Sequence, residues 1–277
     1  MAEGVRILYE DDWLLAIDKP AGLLMHPSWI DRSATDTLAG RVKQYLGGAA
    51  VHTVHRLDRP TSGIVLIGKT TAVARHLADQ FASRAVSKVY WALARGFTAE
   101  QFDCNRALIE EPDALSDRKA QQNKAAQSAE TRFSRLAIAE IGKAVSRYPK
   151  ARFSLLECRP VTGRKHQIRR HLKTLRHPIA GDTRYGDRHH NHWAQQHLAL
   201  KSLALRSMEL TLLHPVTGER LCIRAGLSED WAMMLEQLGW YGLLTQVSEF
   251  GGNWGGIGPH RLPGLPLWGR RKSVHGA

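Results

Sequence analysis

Apolar and polar positions alternate from Ile7 to Asp18 on either side of the acidic turn Glu10-Asp11-Asp12, a pattern that predicts two short strands. Further on, Ile64-Val65-Leu66-Ile67 is an apolar run that predicts a strand, with Thr61, Ser62 and Gly63 forming a tight turn before it. Val73, Leu77 and Phe81 then recur at helical spacing, after which Val89, Trp91 and Leu93 alternate with Tyr90, Ala92 and Ala94 as in a strand. The element type therefore switches near Ser87-Lys88, and Tyr90 falls on the opposite face from Val89 and Trp91. Residues from about 103 to 130 are polar with little period, including Asp117-Arg118-Lys119-Ala120-Gln121-Gln122-Asn123-Lys124, and predict a long surface loop or insertion. Arg152 to Cys158 predicts another strand, and Gly163 leads into a helix with Ile168, Leu172 and Leu175 as its apolar stripe. A hairpin around His214-Pro215-Val216-Thr217-Gly218 is predicted from Leu210 to Ile223, and a last helix from Trp231 to Leu244. Residues 247–277 are rich in Gly, Pro and Trp, lack a core pattern, and are expected to be a disordered basic tail. No internal repeat or second core is evident.

Charge narrows the choice of partner. The formal net charge of +13 and an isoelectric point near 10 point to a polyanion, because Lys and Arg gain affinity by releasing phosphate counterions. Nucleic acid fits better than an anionic membrane surface. The first six residues hold no apolar signal core and no apolar run approaches a bilayer span, so a cytoplasmic protein is expected. Cys104, Cys158 and Cys222 are odd in number and far apart, which suits a reducing compartment and a packing role.

The chemistry concentrates at His55-Arg56-Leu57-Asp58-Arg59-Pro60-Thr61-Ser62-Gly63, where one carboxylate stands between two arginines immediately before a strand. Flanking guanidinium groups hold a nearby carboxylate ionised, ready to act as nucleophile or base, although an Asp in such a turn is by default a solvated surface residue. Gly63 to Thr70 also matches the phosphate-loop pattern GxxxxGK[ST]. Four large apolar residues inside it argue for a strand rather than for backbone amides curling around phosphate. His189, His190, His192 and His197 cluster near Asp182 and Asp187, but without paired cysteines or HExxH they read as a polar loop, and no metal site is expected. Arg164, Lys165, Arg169, Arg170, Lys173 and Arg176 leave the helix after Gly163 with many cations and no acid, a face suited to RNA.

The HRLDxxTSG stretch resembles the catalytic signature of the RluA family of pseudouridine synthases, in which the aspartate is essential. Further blocks follow in the family's order: Lys19-Pro20-Ala21-Gly22-Leu23-Leu24-Met25-His26-Pro27 resembles KPxGxxxHP, Phe81-x-x-Arg84-x-Val86-x-Lys88-x-Tyr90 its basic and tyrosine segment, and Thr162 to Leu172 its TGRxHQIRxHL motif. His177-Pro178-Ile179-Ala180-Gly181-Asp182 comes next, so the blocks span roughly Ile7 to Gly226. The resemblance implies an α+β pseudouridine synthase fold over residues 1–246, with a central mixed, largely antiparallel sheet, flanking helices and a catalytic cleft. No S4-type module is expected ahead of it. It implies cofactor-free isomerisation of a uridine in RNA, with no obligate protein partner. Asp58 would be the catalytic carboxylate, acting on the sugar or on the uracil ring, with Arg164 paired to it and Tyr90 stacked on the uracil. Arg56 would fill the gap left by a flipped base, and Arg59, Lys88, Lys165, Arg169 and Arg170 would contact RNA.

Within the family, Arg147-Tyr148-Pro149, Arg152 to Glu157 and Thr162 to Asp187 look most like the TruC branch, which modifies uridine 65 in the T stem of certain tRNAs. An enzyme for ribosomal RNA or another tRNA site is the nearest alternative, and a noncatalytic RNA-binding or RNA-folding protein the alternative of another class. Arg206 departs from the pattern, standing where relatives usually carry histidine, and is expected to alter an RNA contact.

Overall fold

Among the described residues, ten strands form one mixed sheet along whose main path the order is β1-β2-β4-β9-β5-β8-β7-β6, with β3 beside β4 and β10 beside β9. They are β1 (Arg6–Glu10), β2 (Leu14–Lys19), β3 (His52–Thr53), β4 (Ser62–Gly68), β5 (Ser87–Arg95), β6 (Gln101–Asn105), β7 (Glu130–Ile141), β8 (Ala151–Pro160), β9 (Leu205–Leu213) and β10 (Arg220–Arg224). Five helices of eight residues or more flank them among the described residues: α1 (Leu38–Tyr45), α2 (Thr71–Ala82), α3 (Gln167–Thr174), α4 (Arg188–His197) and α5 (Glu229–Gln237). The computed structural model describes residues 4–26, 36–109 and 125–243. Pro27, the polar run Asp117 to Lys124, Leu244 and the segment 247–277 lie outside the described residues.

The apolar run in β4 is explained by burial on both faces. Ile64 and Leu66 pack with Leu14, Val73 and Leu77 under α2, whereas Val65 and Ile67 pack on the other face with Ile17, Leu38, Val42 and Leu57 under α1. A strand covered on both faces cannot alternate with polar residues, and burying each such side chain contributes roughly 1.5–3 kcal/mol. The phosphate-loop match dissolves here: residues 62–68 are paired strand, Lys69 binds Glu10 at 2.8 Å, and the Thr70 side chain caps α2. A third core, between the β5-β8-β7 half of the sheet and α3, α4 and α5, gathers Trp91, Phe133, Phe153, Ile168, Leu172, Trp193 and Trp231.

Among the described strands, β4 and β9 make the one parallel pairing, Ser62 opposite Arg206 and Gly63 opposite Ser207. The backbones meet so closely that a Cβ on Gly63 would stand 2.2 Å from the Ser207 carbonyl oxygen, and Gly63 has φ +107°. Only glycine fits such a junction.

Three expectations need correction. Residues 103–105 belong to β6, Leu108 and Gln127 pair in an isolated bridge, and Glu130 starts β7, so the ends of the polar stretch are paired backbone. The histidine-rich stretch forms helix α4, capped by the Asp187 side chain on the His190 amide and anchored by buried Trp193 and Ala194. The last helix is interrupted: α5 ends at Gln237, the chain turns at Leu238 and Gly239, and residues 241–243 are helical again.

Candidate active site

Asp58 lies on the loop that enters β4 at the parallel junction. Leu57, buried in the α1-side core, fixes the loop beneath it, and the Thr61 amide donates to the Asp58 carbonyl at 3.0 Å to close a turn. The N-terminal KPxG segment clamps the same loop. Gly22 N donates to Arg59 O at 2.8 Å, Arg59 Nε donates to Gly22 O, and the wholly buried Lys19 amine donates to the carbonyls of Pro20, Leu23 and Arg59. Burial pushes the Lys19 amine down to about 7, with the Asp58 charge opposing and Arg59 reinforcing. His55 holds the other side: its Nε2 accepts from Leu66 N at 3.1 Å while the ring stacks on Phe81.

The charge partner of Asp58 is Arg169, not Arg164. Arg169 Nη1 donates to Asp58 Oδ2 at 3.0 Å, while its Nε and Nη2 grip both oxygens of Asp182 at 2.8 and 2.9 Å. Asp182 is further held by the amides of Arg184 and Tyr185, both at 3.0 Å. Burial alone would push the Arg169 guanidinium down; the hydrogen bond and charge of Asp182, and then Asp58, carry it above its ordinary value. Burial likewise pushes the Asp182 carboxyl up, and Arg169 with the two amides overcomes that to hold it below the usual range.

Helix phase explains the exchange. Arg164 precedes α3, where its amide donates to Gln167 Oε1 and its Nε reaches Ser128 O at 3.2 Å. Arg169 lies in the first turn, on the buried face with Ile168 and Leu172. Gln167 pins that start, since its side chain also accepts from Thr162 and donates to Glu130 O and the Thr131 hydroxyl. The residue before it, His166, has φ 55° and ψ 26°, a left-handed conformation unusual without glycine. Its ring sits between the Tyr185 hydroxyl, 2.9 Å from Nδ1, and Asp58 Oδ2, 3.5 Å from Nε2.

Tyr90 stands on β5 beside a bulge in its pairing with β9, opposite Ser207. Burial pushes its hydroxyl up to about 12; Ser207 pulls it back and the Asp58 charge raises it again, so it is neutral at physiological pH. Its neighbour Trp91 points into the β8 core, as strand alternation requires.

The expected RNA contacts separate. Arg56 is exposed and close enough to His26 to lower that imidazole's pKa, after burial. Arg59 is exposed as well, but Lys88 is half-buried, donates to Thr162 O at 3.2 Å and is pushed by burial down to about 8. Lys165 and Arg170 are half-exposed, Arg170 bonding Ile109 O, whereas Arg169 is turned inward to Asp58. Arg206 is also internal: its Nη2 donates to Asp18 Oδ2 and to Gly226 O, both at 2.7 Å, with only 1% of the residue exposed. It props β9 against β2 and the strand end of β10, and touches no RNA surface. The roles of His166, Asp182 and Tyr185 had no separate sequence signal beyond the family blocks that contain them.

No group of three or more His, Cys, Asp or Glu side chains suited to a metal occurs among the described residues, and no described helix is long and apolar enough to cross a membrane.

Residues 13–174 match the family model for RNA pseudouridylate synthases. The tRNA pseudouridine synthase C of Salmonella typhi is 45% identical over 240 residues, covering 87% of this chain and 92% of that protein; its Yersinia pestis counterpart is 42% identical over 245 residues, covering 88% and 95%. In structure, human RNA pseudouridylate synthase domain containing 4 superimposes with a TM-score of 0.63 at 26% identity, over 84% of this chain and 93% of its own.

Proposed function

Because the chain belongs to the RNA pseudouridylate synthase family, whose members isomerise uridine in RNA, we propose that its substrate is tRNA, that uridine 65 in the T stem is the target, and that Asp58 is the catalytic carboxylate. The observation that carries the site assignment is the clamp: a carboxylate 22% exposed at the junction of β4 and β9, paired with a buried guanidinium that a second carboxylate holds in place. The tRNA assignment is supported by relatives named tRNA pseudouridine synthase C along nearly the whole described length.

The reaction breaks the bond between ribose C1′ and uracil N1, turns the uracil, and joins C1′ to C5. C5 gives up its proton, N1 gains one, and no electrons are exchanged with any other molecule. Arg169 binds Asp58 Oδ2 and so fixes the direction from which the carboxylate can attack or remove a proton. Neutral Tyr90, with its ring at the cleft and its hydroxyl near Asp58, offers a face for the uracil to stack on and a hydroxyl beside the reacting atoms. A uridine in a stem must leave the helix to reach this carboxylate, at a cost of a few kcal/mol, and exposed Arg56 presents a planar group able to take its place in the stack.

The experiment uses unmodified tRNA transcripts tritiated at uracil C5, incubated with wild-type protein and with Asp58→Ala, followed by mapping of the pseudouridine formed. Tritium release by wild type alone, mapped to position 65, is the expected result. Release mapped elsewhere overturns the target, and release by the variant overturns the role of Asp58.

A further inference from the structure

The two oxygens of Asp58 are not equivalent. Arg169 Nη1 and His166 Nε2 both approach Oδ2, at 3.0 and 3.5 Å, and Oδ1 has no hydrogen-bond partner among the described residues. The imidazole that faces Oδ2 is itself fixed from behind by Tyr185, which is buried and whose ring lies under the guanidinium of Arg169 at 5.1 Å. We propose that His166 is a positioning residue for Asp58: anchored by Tyr185, it turns its Nε2–H to Oδ2 and leaves Oδ1 as the oxygen presented to the nucleotide. This rests on Asp58 being the catalytic carboxylate.

The backbone supports a role beyond packing. His166 occupies the N-cap of α3 with φ 55° and makes no side-chain cap, so its side chain does not serve the helix it precedes. A non-glycine residue in that conformation carries a strain that folded proteins retain where the surroundings impose it, often at functional sites. Here the strained geometry delivers the ring into the gap between Tyr185 and Asp58. That orientation also sets a hydrogen-bond polarity. With the proton on Nε2 aimed at a carboxylate, Nδ1 is an acceptor, and the Tyr185 hydroxyl donates to it. The 3.5 Å separation is longer than a formed hydrogen bond, and contacts of this kind shorten when the reacting complex assembles.

A pH signature follows. The charged and titratable groups around the ring are Asp58 on the β4 entry loop, Arg169 on α3, Lys165 next to it in the chain, and Arg184 with Tyr185 after Asp182. Burial lowers the His166 pKa below its ordinary 6.5, the Asp58 charge opposes this, and the three cations Arg169, Arg184 and Lys165 reinforce it. The ring is neutral at pH 7. Only at a pH below that ordinary value does it gain a proton, become a full ion-pair partner of Asp58, and lose the Nδ1 acceptor that holds Tyr185.

The test measures single-turnover tritium release from C5-labelled tRNA transcript, together with RNA affinity, from pH 5 to 8 for wild type, His166→Asn, His166→Gln and Asp58→Ala. Asn tolerates the left-handed backbone but is too short to reach Asp58; Gln returns an N–H donor near the Nε2 position and cannot titrate. The expected results are a rate loss of about 10- to 100-fold for His166→Asn at unchanged RNA affinity, substantial recovery in His166→Gln, and an acid limb below the ordinary imidazole value in wild type that is missing from the Gln variant. A wild-type rate in His166→Asn, a loss confined to RNA affinity, or the same acid limb in His166→Gln overturns the proposal. Activity in Asp58→Ala would instead remove the premise about Asp58.

Discussion

Arg169 joins Asp58 to Asp182 through three different nitrogens, two on Asp182 and one on Asp58, so that the direction of the surface carboxylate is set by a buried one. A lysine could supply the charge but not the fork. Arg169→Lys is expected to lower single-turnover tritium release by about 100-fold or more and to destabilise the fold by roughly 3 kcal/mol, because Asp182 is left buried with an incomplete partner. Arg164→Ala, outside that clamp, is expected to lose less than about 10-fold, mainly in RNA affinity. Comparable losses in the two variants would contradict the assignment of the clamp to Arg169.

Asp58→Asn keeps the shape of the side chain and removes the charge. Tritium release is expected to vanish while tRNA affinity in a filter-binding assay stays within about 3-fold, since a carboxylate adds nothing to phosphate affinity. A large affinity loss would mean that the carboxylate organises the RNA surface.

Gly63→Ala forces a Cβ into the Ser207 backbone at 2.2 Å and imposes a strained φ. Chemical denaturation is expected to show a loss of about 3 kcal/mol or more, with separation of β4 from β9. Near-wild-type stability would mean that the parallel junction has room to spread.

Arg206→Ala leaves the Asp18 carboxylate, already lacking a partner on Oδ1, buried without its main cation. The expected cost is roughly 3–5 kcal/mol in unfolding free energy with the affinity of the folded protein for tRNA unchanged. A selective affinity loss would return Arg206 to the RNA surface.

His55 sets an acid limit on stability. Its folded pKa is pushed down to about 4 by burial and then by the nearby Lys88, from an ordinary value of 6.5. The unfolded chain therefore binds more protons between those values, and the stabilisation present above pH 6.5 is lost as pH falls toward 4, by up to about 3 kcal/mol. Protonation also turns Nε2 from the acceptor of the Leu66 amide into a donor facing it. Denaturation midpoints at pH 7 and pH 5 should differ in wild type and converge in His55→Gln, whose amide oxygen accepts at any pH; an undiminished difference would place the acid sensitivity elsewhere.

Elements with one-sided or two-sided apolar burial were legible in the sequence. The β1–β2 pair, β4, α2 and the β9–β10 hairpin all carry their period openly because their side chains face a core at regular intervals. Strand β7 is half-exposed along much of its length and bulged between Arg135 and Ala137, which shifts its alternation out of step. Helix α4 spends only Trp193 and Ala194 on the core, too few to mark a period among its histidines. The Asp58 loop was legible because its chemistry is local in sequence. Its true partner was not, since choosing Arg169 over Arg164 requires knowing where α3 begins. The helical phase of Arg169, three residues before Leu172 on the buried stripe, is the signal that distinguishes them.

The parallel contact of residue 63 with residue 207 also sets a time order for the molecule's birth. Asp58, Tyr90 and the clamp arginine are all synthesised before β9, yet β9 is the strand that separates and aligns β4 and β5. On the ribosome the carboxylate therefore cannot acquire its working surroundings until the chain has been made past residue 213, because a long-range pairing has to close last. Nascent chains shorter than that carry Asp58, Tyr90 and Arg169 as unassembled parts.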